Sequence, residues 1–219
     1  MKSLKTQMCR VLACAAMLAA GVPAASAAAF DNGAPNHDSG NNMGYAWQAD
    51  NFSLGSGTSV NAISFWSLEA AGAFRGSISW SIVGDSAGMP GGTVFASGTQ
   101  SAIARTSLGS YLGMDEFRND FSLGSPLTLG AGTYWLVLHN GSFSNMGDPN
   151  EFLWETTSAN GALGGMESYD GGLTWSGTFS EHAFQVSAVP EPASVLMLAA
   201  GMLVVGGLRR RGHHGRFMR

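Results

Sequence analysis

The chain has 219 residues, 31 of them glycine, with 45% apolar residues, 12% charged residues and a formal net charge of −4. That length suits one packed domain with addressing segments and excludes two large domains. The composition excludes a multi-span membrane protein and a disordered chain, and no long basic tract runs through the body to receive nucleic acid.

In chain order, residues 1–27 read as a signal peptide, expected to be helical. Lys2, Lys5 and Arg10 give a positive leading segment, Val11 to Val22 an apolar stretch, and Ala25-Ser26-Ala27 a small-residue cleavage site. Cleavage there leaves Ala28 or a close neighbour at the new terminus. Cys14 follows Val11-Leu12-Ala13 in the manner of a lipoprotein site, but only those three residues part it from Arg10, too few for the apolar segment such a site needs.

The body, residues 28–188, sets Arg75, Arg105 and Arg118 against fourteen acidic residues, a net charge of −11. Such a surface repels nucleic acid and anionic lipid and favours cations or neutral polymers, although solubility alone also accounts for it. Cys9 and Cys14 both lie in the signal peptide, so the body has no disulfide, thiol nucleophile or thiolate metal site.

Short alternating segments run through this body, parted by Gly, Ser, Asn and Asp. Trp47–Leu54 is a strand candidate. Asn61–Leu68 puts Ile63 and Phe65 on one face and Trp66 and Leu68 on the other, the pattern of a strand covered on both sides. Gly76–Val83 places Ile78, Trp80 and Ile82 on one face and Ser77, Ser79 and Ser81 opposite. Thr93–Ser97, Phe117–Leu123, Thr133–His139, Phe152–Thr156 and Leu173–Ser176 continue the series, and His182, Phe184 and Val186 share a face near its end. No window of 12 residues shows a sustained helical period. The pattern predicts an all-β fold, an antiparallel jelly-roll-like β-sandwich, with a signal helix before it and one transmembrane helix after it.

Several constellations bear on chemistry. Gly84-Asp85-Ser86-Ala87-Gly88 has the spelling of a nucleophile elbow, with His37, His139 or His182 as base, but Pro90-Gly91-Gly92 blocks the helix that an elbow requires, so a hairpin loop is expected. Glu151 and Glu155 point the same way on a strand, roughly 13 Å apart at about 3.3 Å per residue, too far for direct pairing. Calcium is the cofactor with most support: Asp31, Asn32, Asn36, Asp38, Asn41 and Asn42 form one oxygen-rich stretch, and Asp148, Asn150 and Glu151 another, though the same residues serve turns. His37, His139 and His182 lack the local spacing of a zinc site. Six tryptophans, at 47, 66, 80, 135, 154 and 175, offer stacking faces for sugar rings. Most are expected in the core; Trp175, in a loop-like stretch, and then Trp47 are the candidate glycan contacts. No catalytic set stands out, so no enzyme is expected.

The last 31 residues, 189–219, form a second address. Val189-Pro190-Glu191-Pro192 precedes an uncharged run, read as a span over 193–208, and Arg209, Arg210 and Arg211 open a basic tail over 209–219. The 17 residues from Pro192 to Leu208 reach roughly 25 Å as a helix, a short membrane span, with the arginines holding its end in the cytoplasm. Two prolines deny the backbone N–H groups and the helical conformation just before the span, leaving an extended peptide that suits a protease. His213 and His214 alone make a weak metal site.

This order of motif, apolar helix and arginine cluster resembles the PEP-CTERM sorting signal of Gram-negative bacteria. The resemblance implies recognition by a membrane-embedded exosortase, cleavage near Pro190, Glu191 and Pro192, transient anchoring in the inner membrane, and export to the cell surface or extracellular matrix. The body, from Ala49-Asp50-Asn51-Phe52-Ser53-Leu54 through Ile63-Ser64-Phe65-Trp66, Pro90-Gly91-Gly92 and Leu129-Gly130-Ala131-Gly132-Thr133-Tyr134-Trp135 to Ala183-Phe184-Gln185-Val186, resembles the exported β-sandwich domains often found before such signals. Together they imply a non-enzymatic surface or matrix protein associated with exopolysaccharide. A secreted polysaccharide-active enzyme and a self-assembling structural protein are the alternatives.

Overall fold

The computed structural model describes residues 28–158 and 164–189, with Gly201. The signal peptide, Pro190, Glu191, Pro192, the rest of the span over 193–208 and the basic tail lie outside the described residues. Residues 27–189 form one compact unit.

Its strands, in chain order, are β1 (Ala28–Asp31), β2 (Gly40–Asn42), β3 (Trp47–Leu54), β4 (Thr58–Glu69), β5 (Ile78–Ser86), β6 (Met89–Gln100), β7 (Ala104–Tyr111), β8 (Met114–Leu129), β9 (Gly132–Asn140), β10 (Phe152–Thr157), β11 (Met166–Ser168), β12 (Ser176–Gly177), β13 (Glu181–His182) and β14 (Phe184–Ala188). They make two antiparallel sheets. One has the order β12-β11-β3-β9-β5-β6. The other is built on the long strand β4. One edge of β4 takes β8, which in turn carries β7. The opposite edge takes β14 over Val60 to Phe65 and β10 over Ser67 to Glu69, with β1 outside β14 and β2 outside β10, while β13 pairs with the end of β10 at Thr156 and Thr157.

Period-two alternation gives each sheet an apolar inner face. Phe52 of β3, Ile82 of β5 and Leu136 of β9 meet Ile63 and Phe65 of β4, Phe152 and Trp154 of β10 and Phe184 of β14 in one core, all fully buried. Each such side chain contributes roughly 1.5–3 kcal/mol on leaving water. β4 is covered on both sides, since Trp66 and Leu68 are buried on its outer face.

The strand predictions and the structure part company at several places, and the short strands β1, β2 and β11 were not predicted. Ala104–Tyr111 is a strand that alternation did not signal, because it is an exposed edge with little to bury. β6 and β8 run well past the predicted cores of 93–97 and 117–123, pairing with neighbours through polar and glycine-rich ends. Leu173–Ser176 is not a strand. The Asp170 carboxylate accepts the Thr174 N–H at 2.9 Å and the Thr174 hydroxyl at 2.6 Å, closing a turn that leaves Leu173 84% exposed, and only Ser176–Gly177 pairs.

Candidate functional site

The outer face of the sheet β3-β9-β5-β6 is apolar as well. Ala49 of β3 with Trp135 and Val137 of β9 form a second buried cluster, against which Trp47, Val83, Phe143, Met166 and Trp175 pack. The turn after β9 supplies Phe143, which meets the Trp47 ring at 4.2 Å between centroids and accepts the Trp47 indole N–H on its carbonyl at 2.9 Å. The turn after β11 supplies Gly172 and leads to Trp175. Its Ser168 hydroxyl accepts the Gly172 N–H and donates to Asp170, both at 2.8 Å. The hydrogen bonds from Thr174 and Ser168 hold the Asp170 carboxyl down at about 2.

Gly172 has to be glycine. Its φ is +85°, and a Cβ there would stand 2.9 Å from the Trp47 ring. The bare backbone therefore lies against one tryptophan while the other stands close by. Between them opens a cavity of about 390 Å³, lined by Trp47, Trp175, Phe143, Val83 and Val137 with the hydroxyls of Ser81 and Ser97. Aromatic faces beside a few hydroxyls and open backbone suit a ring that is apolar on its faces and polar at its edge. A larger open cleft, about 840 Å³, lies beside the Arg75–Asp148 ion pair and is predominantly polar.

Of the six tryptophans, Trp66, Trp80, Trp135 and Trp154 are buried, while Trp47 and Trp175 are half-buried and share this cavity. The Trp135 indole donates to Asp85 at 2.9 Å, and the other oxygen of Asp85 accepts the Gly88 N–H. Residues 84–88 are thus a hairpin between β5 and β6. The positive φ of Ala87 and Gly88 closes the turn, and a strand follows it, so the context of a nucleophile elbow is missing.

The three histidines have separate surroundings. His139 is buried beside Phe143, and desolvation pulls its pKa down. His182 is fully buried, with Nδ1 2.9 Å from Asp50 and Nε2 2.9 Å from Asn41. Burial raises the Asp50 pKa, and the bonds to His182 oppose that rise. His37 stands over the outer face of the β4 sheet. Its Nδ1 is 3.2 Å from Glu155 and 3.7 Å from Glu116.

As expected from their spacing, Glu155 does not pair with Glu151, which lies exposed before β10. Burial pushes the Glu155 carboxyl up to about 7, with the Glu116 charge adding to the rise and His37 opposing it. Sequence reasoning missed this trio because its members lie on a loop and two strands far apart in the chain. The oxygen-rich stretches are occupied otherwise: Asp31, Asn36 and Asn42 accept backbone N–H groups two residues on, Asn32 and Asn41 reach β13, and Asp148 pairs with Arg75.

The body ends at β14. The Val189 N–H still donates to the Ser59 carbonyl at 2.8 Å. Residues 188–211 match the PEP-CTERM protein-sorting motif. The motif indicates an exported protein, processed by exosortase and sorted to the cell surface. The PEP-CTERM segment therefore starts where the last strand finishes, and the sheets on its N-terminal side are the exported cargo. A comparison with curated proteins finds no match to the chain. Among the described residues no helix is long and apolar enough to cross a membrane.

Proposed function

We propose that the protein is a non-enzymatic component of the surface or extracellular matrix of a Gram-negative bacterium, associated with exopolysaccharide through the face carrying Trp47 and Trp175. In this reading the span over 193–208 anchors the chain in the inner membrane only until exosortase acts, and the two sheets are a jelly-roll-like sandwich that presents the face. The carrying observation is that the two half-buried tryptophans share a cavity floored by a glycine backbone. The acidic body supports the same reading, because a net charge of −11 discourages polyanions and leaves neutral or cationic glycans as the natural partners. The close carboxylate pair Glu116 and Glu155 is buried under His37 and lines neither of the two cavities described above, which argues against the glycosidase alternative.

The test is retention of the exported protein on the cell's own matrix polysaccharide. Trp175→Ala is expected to weaken retention at least about tenfold, about 1.4 kcal/mol, with the fold intact because the side chain is half outside the core. Wild-type protein that washes through, together with an unchanged matrix in a deletion strain, overturns the reading.

A further inference from the structure

We propose that His37, Glu116 and Glu155 form a binding site for a first-row divalent cation, Zn²⁺ above all. His37 comes from the loop between β1 and β2, Glu116 from β8 and Glu155 from β10, so three separate segments converge on one point. One nitrogen and two carboxylate oxygens lie within 4.8 Å of one another. The separations of 3.2 Å and 3.7 Å from the imidazole Nδ1 bracket the edge of a tetrahedron with metal–ligand bonds near 2.05 Å, about 3.3 Å.

The second observation is the state of Glu155. Its side chain is 0% exposed, and neither oxygen accepts a hydrogen bond. A buried carboxylate in that condition is costly unless a positive charge faces it. The arginines of the body are engaged elsewhere: Arg75 with Asp148, Arg105 with Glu69, Arg118 with Asp120. Only His37, 47% exposed, stands over it. A cation between the three groups satisfies both glutamates at once.

The loop that carries His37 is already fixed. Asn36 takes the Thr156 hydroxyl at 2.8 Å and gives its N–H to the Thr156 carbonyl at 2.9 Å, and the Ser39 carbonyl accepts the Thr156 N–H at 3.0 Å. His37 itself sits at φ +56° between these anchors, a backbone conformation unusual for a side-chain-bearing residue. Its place over the glutamates is thus set before any ion arrives.

The donor set selects the ion. Ca²⁺ takes six to eight oxygens and Mg²⁺ a near-ideal octahedron, whereas one imidazole with two carboxylates suits Zn²⁺, the fourth position being open to water on the His37 side. Bound there, the metal would tie the β1–β2 loop to β8 and β10 in a domain with no disulfide.

The exported protein, which processing near Pro190 to Pro192 frees of His213 and His214, is stripped with chelator and titrated with Zn²⁺, Ca²⁺ and Mg²⁺. One equivalent of Zn²⁺ is expected to bind. Free Zn²⁺ at about a hundred times its Kd should raise the melting midpoint by roughly 5–10 °C. Glu155→Gln keeps the side-chain shape, and His37→Gln alters an exposed loop; both are expected to fold and to lose the Zn²⁺-dependent rise. No rise in the parent protein, an equal rise with Ca²⁺, or a rise retained in His37→Gln each overturns the proposal.

Discussion

At the residue scale, Asp50 ties the two sheets together. One oxygen accepts the His182 N–H at 2.6 Å and faces its Nδ1 at 2.9 Å, while the other accepts the Asn51 N–H at 2.7 Å. These contacts join β3 of one sheet to β13 of the other. Asp50→Ala strips the buried imidazole and the buried backbone amide of their acceptor together. Breaking a buried pair by removing one partner costs about 3–5 kcal/mol, so denaturant unfolding of this variant should show a loss of that size. Asp50→Asn retains an acceptor and the shape, and the loss there should be smaller. Little of this was legible in the sequence. Alternation put His182 on one face with Phe184 and Val186, which is where it lies, but no local pattern names a partner 132 residues away. Glu155 is the same lesson. Spacing along its own strand placed Glu151 too far off to pair and named no other partner, whereas sheet pairing sets Glu155 beside residues from β8 and the β1–β2 loop.

At the element scale, the segment from Ser168 to Trp175 decides whether the aromatic face keeps its shape. Alternating apolar residues in Leu173–Ser176 predicted a strand. Two glycines and an Asp that captures Thr174 produce a turn instead, since a carboxylate that bonds the backbone four residues on competes directly with strand pairing. Local chemistry thus overrode a short pattern here. The core strands were legible because β3, β5 and β9 each bury a full inner face. Two variants probe the turn. Gly172→Ala puts a side chain at a left-handed φ and presses a methyl into Trp47, so a loss of roughly 1–2 kcal/mol is expected together with an altered tryptophan emission. The pH dependence follows from Asp170, whose pKa is depressed to about 2 from an ordinary 3.8. A depressed carboxyl contributes its full share above the unfolded value and loses it as pH falls through the folded one. Tryptophan emission and glycan retention should therefore hold from pH 7 to about 4 and change only as pH approaches about 2. Asp170→Ala should weaken retention across the whole range while the melting midpoint stays near wild type.

At the scale of the whole molecule, the last strand and the sorting motif meet in the sequence at Ala188. β14 pairs with β4 from Phe184 to Ala188, and Val189 adds one more bond to Ser59. The next residue is Pro190, which has no N–H to give, and Pro192 repeats the interruption two residues later. Ladder pairing uses those N–H donors, so two prolines in this sequence disfavour continuation of the strand past Val189. The sorting motif was legible in the sequence, because such a signal is read by another protein as a linear string and needs no tertiary partner. Pro190→Ala with Pro192→Ala restores both N–H donors and lets pairing propagate past Val189. Such a variant should accumulate unprocessed in the membrane fraction, at the mass that retains residues 193–219, while its melting midpoint equals or exceeds that of the parent. Processing at the parental rate would show that neither the missing donors nor the prolines themselves govern access, leaving Glu191, the apolar run and the arginines to carry the specificity.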